Sequence, residues 1–432
     1  MPSYLKDLGY QTHGIGKWHL GFCHPDYLPS NRGFDTFFGF WNGAADHFEH
    51  SLEAYPGDPS TRGFDFHINE DLDYDVIGTS TSRIVADRVG EIVWEHVGIN
   101  KTSKLNDLTN YNASDPFFIY ASFQDPHMPL QVEEKYTNLY PDEQDPIRKN
   151  FLGMVSRLDE AVGQMLDDLK NITYMSEEDG QLRSLLDDTV IIFSSDNGGW
   201  SEKEFGYSGG NNLPLKGSKV DILEGGTRVP GFIWNSGRKG STMDLFHITD
   251  WLPTIYSGIA GGNVENLPGD MSGFNQADLL SNPDGKSVRD EVVHGVMDFT
   301  NTSMKFVFGE YMPVSVVDMT GAYGGALRFE DWKIIKGCYT FMGCVQNYGV
   351  VEDPDLIQLY NLAEDPNETT DLSTDPQYAE ILQILKDRLQ HQFDIAMKPL
   401  RIDESNAGSP VNMDPPIYYT GWCDSIYEAE PQ

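Results

Sequence analysis

Three short clusters of cations, metal-type ligands and glycines stand out in this 432-residue chain. The first is Gly16-Lys17-Trp18-His19-Leu20-Gly21, followed by Arg32-Gly33-Phe34-Asp35. If this stretch is extended, Lys17 and His19 are two positions apart and project to one face, where both could reach one anion. The second is Gln124-Asp125-Pro126-His127-Met128-Pro129-Leu130. The third joins Asp196-Asn197-Gly198-Gly199 to Lys219, in Pro214-Leu215-Lys216-Gly217-Ser218-Lys219, and then to Glu224-Gly225-Gly226-Thr227-Arg228. Asp196 and Asn197 carry the hard oxygens that calcium or magnesium prefers. Lys17, Lys219, His19 and His127 supply positive charge and transferable protons. Together these residue types describe a site for a transferring anionic group. Singly, each has an ordinary alternative. Asp-Asn-Gly-Gly is a common turn, because Asx side chains cap turns and glycine accepts positive φ. A histidine between prolines is often structural or exposed, and Lys219 alone is a solvated lysine.

The elements around these clusters read as α/β. Pro116-Phe117-Phe118-Ile119-Tyr120-Ala121-Ser122-Phe123 is a continuous apolar run, short enough for a strand buried on both faces. Thr189-Val190-Ile191-Ile192-Phe193 is a second such run and leads into Asp196-Asn197. Between them Phe151, Met154, Val155, Leu158, Val162, Met165, Leu166 and Leu169 recur at helical spacing, with Arg157, Asp159, Glu160, Asp167 and Asp168 on the other face. Strand, helix, strand implies a parallel sheet, and ligands gather beyond the carboxyl ends of such strands. A second region begins between Gly261 and Ser287. In it, Gly325 to Lys336 reads as a strand pair turning at Glu330-Asp331. Asp355 to Leu372 reads as irregular. Tyr378 to Met397 reads as a helix with Ile381, Leu382, Ile384, Leu385, Leu389 and Phe393 inward. The proline-rich end from Arg401 reads as an extended tail. The expected division is therefore 1–285, 286–400 and 401–432.

Composition narrows the function classes. With 39% hydrophobic and 12% aromatic residues the chain is an ordered globular protein. No apolar run approaches the length of a bilayer-spanning helix. Met1 to Leu20, interrupted by Lys6, Asp7, His13, Lys17 and His19, has no apolar core of a secretory signal. The 67 acidic residues outnumber 30 basic ones, for a net charge of −37. That field repels nucleic acid and anionic lipid, so any anionic substrate needs a local basic pocket. An acidic compartment would neutralise many of these carboxylates, which suits a lysosomal or secreted protein. Four cysteines are too few for a disulfide scaffold. Cys338 and Cys344 are close enough in sequence for a local bridge; Cys23 and Cys423 could pair elsewhere, and four reduced thiols is the alternative. Asn-x-Ser/Thr sites occur at Asn100, Asn112, Asn171, Asn301 and Asn367, candidate N-glycosylation positions.

The clusters occur together and in order. Gly-Lys-Trp-His-Leu-Gly with Arg-Gly-Phe-Asp resembles the second signature of the sulfatase family. Pro-Phe-Phe-Ile-Tyr with Pro-His-Met-Pro-Leu, Ser-Ser-Asp-Asn-Gly-Gly, and Gly209-Gly210-Asn211-Asn212-Leu213-Pro214-Leu215-Lys216-Gly217-Ser218-Lys219 resemble its later motifs. So do His247-Ile248-Thr249-Asp250-Trp251-Leu252-Pro253-Thr254 and Leu359-Tyr360-Asn361-Leu362 with Asp365-Pro366-Asn367-Glu368. Phe34-Asp35-Thr36-Phe37-Phe38-Gly39 points to the arylsulfatase B-like branch. The resemblance implies an alkaline-phosphatase-like α/β sandwich. Its central, mostly parallel sheet is flanked by helices, and a smaller C-terminal α+β subdomain has an antiparallel sheet.

It also implies a reaction: hydrolysis of sulfate esters, including those of sulfated glycans, by a calcium-assisted formylglycine made from a Cys-x-Pro-Ser-Arg cysteine. Carried over by position, Asp196 and Asn197 are two calcium ligands, and Lys17 and Lys219 contact sulfate oxygens. Lys219 also lies towards the leaving-group oxygen. His127 binds sulfate or protonates the leaving alcohol, and His19 assists sulfate release. The family's acidic pair and Cys-x-Pro-Ser-Arg belong upstream of Lys17, and neither occurs; Cys23-His24-Pro25-Asp26-Tyr27 has tyrosine where arginine belongs. The chain is therefore expected to be an inactive fragment of a lysosomal or secreted parent that a formylglycine-generating enzyme matures. The rival reading is a non-catalytic relative that binds sulfated glycans. A phosphate-ester hydrolase of the same superfamily is a third reading, disfavoured by the Gly-Lys-Trp-His signature and Lys219.

Overall fold

Gln11–Lys17, whose five interior positions are all buried, is the centre around which the first half of the chain is arranged. The computed structural model describes residues 1–22, 24–53, 62–98, 115–175, 180–201, 208–237, 239–298, 305–308, 315–318, 323–337 and 356–395. Two compact units divide them, Met1–Val190 with Ala260–Gly262, and Ile191–Ile259 with the chain from Asn263 on.

The first unit holds α1 (Pro2–Lys6), β1 (Gln11–Lys17), β2 (Thr36–Phe40) and a hairpin of β3 (Ser51–Glu53) and β4 (Arg62–Phe64). Then come β5 (His67–Ile68), β6 (Asp71–Leu72), α2 (Thr81–His96), β7 (Phe117–Ser122), α3 (Glu134–Thr137) and α4 (Pro146–Asn171). A second hairpin, β8 (Thr173–Met175) with β9 (Leu182–Ser184), follows. The main sheet runs β6-β5-β2-β1-β7. β2 and β7 pair with β1 in parallel, and the short β5 and β6 are antiparallel additions. Gly16, at φ +93°, permits the close approach: a Cβ there would lie 2.1 Å from the Ser122 carbonyl oxygen. Helix α2 buries Ile84, Val85, Val89, Ile92 and Val93 against the sheet side, each worth roughly 1.5–3 kcal/mol when fully buried. Asp145 caps α4 by accepting from the Ile147 and Arg148 amides, just before Pro146 begins it.

The second unit contains β10 (Ile191–Ser194), α5 (Glu224–Thr227), β11 (Gly231–Trp234), α6 (Trp251–Pro253) and α7 (Ala277–Ser281). The remaining elements are β12 (Glu291–Asp298), a β13 (Lys305–Phe308) and β14 (Ser315–Asp318) pair, β15 (Tyr323–Phe329), β16 (Trp332–Gly337), β17 (Ile357–Asn361) and α8 (Ala379–Ile395). An antiparallel sheet of order β12-β15-β16-β17 packs Leu327, Ile334 and Leu359 against Leu385 and Leu389 of α8. A central mixed sheet with helices plus a C-terminal antiparallel sheet is the expected architecture. No helix among the described residues is long and apolar enough to cross a membrane.

Several local expectations change. β7, which among the described residues pairs with β1, is half-buried, with Tyr120 exposed. β10 is a strand, and among the described residues it pairs antiparallel with β11; apolar runs fix a strand without fixing its neighbour. Ile357–Asn361, inside the stretch read as irregular, is β17, specified by its pairing with β16. Ile384 faces outward on α8. The turn at Glu330-Asp331 forms as read, with Glu330 at φ 52°. Residues 401–432 lie outside those described.

Candidate functional site

β1, β2 and β7 are parallel, so their carboxyl ends share one edge of the sheet. Lys17 closes β1 there, half-buried. The ladder runs on for two residues: the Trp18 amide donates to the Phe40 carbonyl at 2.9 Å and the His19 amide to that of Trp41 at 3.0 Å. His19 itself takes φ 53°, so the chain turns out of the strand and its side chain is exposed. The simple two-apart alternation with Lys17 therefore fails at His19. Trp18 anchors the turn from below, donating Nε1–H to the carbonyls of Gly21 and Tyr27, both at 3.0 Å. A Cβ on Gly43 would fall 2.7 Å from Cε1 and Nε2 of His19, so the imidazole lies directly on the Gly43 backbone. The preceding residues are held by buried Asp65, which accepts from the amides of Trp41 and Asn42 and from the Asn42 side chain at 2.8–3.0 Å.

The second cluster leaves the same sheet edge after β7. Its acid is not a surface group: the Asp125 side chain is fully buried and takes a forked ion pair from Arg157, with Nη2 at 2.7 Å and Nε at 2.9 Å. Ser82 donates to the second oxygen. Arg157 was placed by periodicity on the solvent face of α4, yet it is 2% exposed; Asp168 on that face also turns inward, accepting from Trp94 Nε1 at 2.7 Å. Asp168 is covered by α2, which packs along α4, whereas Arg157 is drawn in by Asp125, Glu133 and His47. Burial opposes the Arg157 charge, but Asp125 and Glu133 raise its pKa beyond the usual value. Behind the pair sits His47, fully buried and lowered in pKa by burial. His127 donates Nδ1–H to the Met128 carbonyl at 2.8 Å, which leaves Nε2 as the ring nitrogen where a proton can be taken up or given.

In the second unit the third cluster closes on itself. β10 ends at Ser194, and the loop that follows places Asp196 in solvent with Asn197 partly covered. The Lys219 amide donates to the Gly199 carbonyl at 3.1 Å, and Gly225 to that of Lys216 at 2.7 Å. Asn212 joins these strips: Oδ1 accepts from the Gly199 amide at 2.8 Å, and Nδ2 donates to the carbonyls of Gly199 and Gly217 at 2.7 and 3.0 Å. Residues 196–199 and 216–219 are thereby held side by side. Beneath them Glu224 is buried with Lys333 (3.0 Å), which also meets Glu368 at 2.8 Å. The Asp-Pro-Asn-Glu motif thus supplies a buried carboxylate. The His247–Thr254 motif is structural too: buried Asp250 accepts from His247, Phe274 and the Arg289 fork.

Asp196 and Asn197 offer two oxygen side chains, whereas calcium takes roughly six to eight oxygens. No group of three His, Cys, Asp or Glu residues suited to a metal occurs among the described residues. The pair alone does not fit a complete calcium shell. Cys23, Cys338 and Cys344 lie outside the described residues, as do Asn100, Asn112 and Asn301; Asn171 is exposed at the end of α4, and Asn367 is partly buried. Sequence reasoning missed His47, Ser82, Arg157 and Asp65, which carry no motif and become neighbours only through folding. Asn212 lay within a quoted motif, but its clasping role had no sequence signal.

The sulfatase family's sequence profile matches residues 1–259. Arylsulfatase J of Mus musculus is 32% identical over 421 residues, covering 93% of this chain and 63% of that protein, so the chain spans less than two thirds of this relative. The crystal structure of Ps i-CgsB matches with a TM-score of 0.67 at 21% identity, covering 93% of this chain and 76% of that one. BT4656, solved in complex with its substrate D-glucosamine-2-N,6-O-disulfate, matches with a TM-score of 0.55 at 15% identity, covering 91% and 81%. At those identities the two structures speak for the fold alone.

Proposed function

This chain belongs to the sulfatase family, and on that premise we propose that its residues form the sulfate-handling part of a sulfate-ester hydrolase acting on sulfated glycans. The observation that carries this is the Asn212 clasp, which brings a lysine-bearing strip against an Asp-Asn oxygen pair more than twenty residues earlier in sequence. A cation strip beside hard oxygen ligands is the arrangement an anionic ester and its counter-ion require.

In this reading Lys17 and Lys219 bind sulfate oxygens and offset the repulsion of a chain with net charge −37. Lys219 lies towards the leaving oxygen. His127, with Nδ1–H fixed on the Met128 carbonyl, binds sulfate or hands a proton to the leaving alcohol from Nε2 when that nitrogen has taken up a second proton. His19 accepts a proton during sulfate release. Calcium and a formylglycine supply the Lewis acid and the nucleophile when present; Asp196 and Asn197 would hold part of the ion, and no Cys-x-Pro-Ser-Arg occurs in the 432 residues. Maturation by a formylglycine-generating enzyme and a lysosomal or secretory setting belong to the same proposal.

Calorimetric titration with inorganic sulfate tests it. Saturable binding that Lys219→Ala weakens at least tenfold is expected; identical binding by the variant removes Lys219 from the site. Without a nucleophile motif the chain is expected to leave an aryl sulfate uncleaved, and turnover by it would refute the formylglycine assignment. Binding of sulfated glycan with no turnover in any longer form favours the second reading, a non-catalytic glycan binder.

A further inference from the structure

The segment that follows β2 runs from beside His19, at Gly43, to a position under the His127 loop, where His47 is fully buried. The partners of His47 decide its tautomer. Arg157 Nη2 lies 3.2 Å from His47 Nδ1, and a guanidinium only donates, so Nδ1 must present its lone pair. The proton then sits on Nε2, which lies 3.1 Å from the His127 carbonyl oxygen and donates to it. The opposite tautomer would face an N–H with the Arg157 donor and set a lone pair against the His127 carbonyl. In return it would gain the 3.4 Å approach of Nδ1 to Asp125 and a lone pair for Gln124 Nε2 at 3.1 Å. Gln124 Nε2 already places one N–H on the Ala45 carbonyl at 2.6 Å, so its second N–H is a neutral, weaker claim on the ring than the charged Arg157 donor. Burial keeps the ring neutral, opposed by Asp125 and reinforced by Arg157.

We propose that His47 is a positioning residue: held in its Nε2–H tautomer by Arg157, it fixes the His127 peptide so that the His127 ring keeps Nδ1–H on the Met128 carbonyl and presents Nε2 to the sulfate ester. The tautomer and the peptide placement stand on geometry alone; the final step rests on the sulfate-handling reading. Nothing in the His47 sequence context signals this role. It acts through a carbonyl and not through contact with the reacting group, as outer-shell partners of catalytic histidines do.

The test uses the full chain with 15N-labelled histidine at about pH 8, where neutral tautomers are distinguished by ring-nitrogen shifts. His47 is expected as Nε2–H and His127 as Nδ1–H. His47→Ala should release His127 into a mixture of tautomers, while His47→Gln should restore the single form, because its amide can accept from Arg157 and donate to the His127 carbonyl. His47 in the Nδ1–H form overturns the proposal, and so does a His127 tautomer unchanged by His47→Ala. If the alanine variant does not fold, the wild-type tautomer and the glutamine variant still decide. Titration of inorganic sulfate into the same three proteins at about pH 5.5, where a histidine Nε2 can carry the second proton, should show about tenfold weaker binding by His47→Ala, with recovery in His47→Gln; equal affinity in all three removes the positioning role. A wild type that binds no sulfate defeats the sulfate-handling reading and leaves the tautomer spectra to judge His47.

Discussion

Lys333→Met should be among the most damaging single changes in the second unit. Its Nζ lies 3.0 Å from Glu224 and 2.8 Å from Glu368, and all three side chains are at most 2% exposed. Removing the cation leaves two buried carboxylates in contact with no counter-charge, which costs about 3–5 kcal/mol. Against a typical total of about 5–15 kcal/mol this is a large fraction. Urea denaturation followed by tryptophan fluorescence would read it. The pH dependence gives a second check. Burial raises the Glu368 pKa, against the opposing pull of Lys333. A raised carboxylate pKa means that the folded state holds the proton more firmly than the unfolded chain. The associated stability is present below the unfolded pKa and is lost as pH rises through the folded value. Glu368→Gln should therefore flatten the stability profile across that window while costing less than Lys333→Met, since Glu224 still pairs the lysine. The Lys333→Met penalty should shrink on acidification as the stranded carboxylates take up protons. A Lys333→Met change below about 1 kcal/mol at neutral pH, or a Glu368→Gln profile parallel to wild type, would show that the triad does not bind as drawn.

Three further outcomes are expected. Gly43→Ala should displace His19, because its methyl would sit 2.7 Å from the ring; a crystal structure of the variant with the imidazole unmoved would contradict this. Asn212→Ala breaks three hydrogen bonds that hold 196–199 against 216–219 and should destabilise the unit by about 2–3 kcal/mol while weakening sulfate binding; loss of stability without loss of binding would separate the clasp from the site. Buried His13 and His50 are each lowered to about 4, mainly by burial. The unfolded chain therefore takes up protons from about pH 6.5 downward while the fold resists, and stability should fall between pH 6.5 and 4 by up to roughly 3 kcal/mol per histidine. His13→Gln should remove its share of that slope, and unchanged urea midpoints at both ends of the range would refute the assignment.

The candidate residues were chosen because they carry their chemistry in their type and punctuation. Lys17, His127, Asp196 and Lys219 sit in glycine- and proline-rich runs; Lys17 ends a strand and the loops bearing His127 and Asp196 follow strands, where an α/β protein puts ligands. The strand pair turning at Glu330 and the α8 helix were equally readable, since alternation and helical spacing are local properties. Neighbours were not. Ile191–Ser194 announced a strand but not that its partner is Gly231–Trp234, and Ile357–Asn361 became a strand only by pairing with β16.

The sequence by itself determined the family, because ordered motifs survive without coordinates. Tertiary structure alone decided which polar residues leave water. Arg157 looked like one more charge on a solvated helix face, and His47 had no motif, yet folding buries both with Asp125 under the His127 loop. His19, expected beside Lys17 on one strand face, instead turns out at φ 53° onto Gly43. Burial and partner choice depend on segments tens of residues apart, such as 42–50, 82, 125 and 157, meeting in one place, and no pattern within any one of them encodes that meeting.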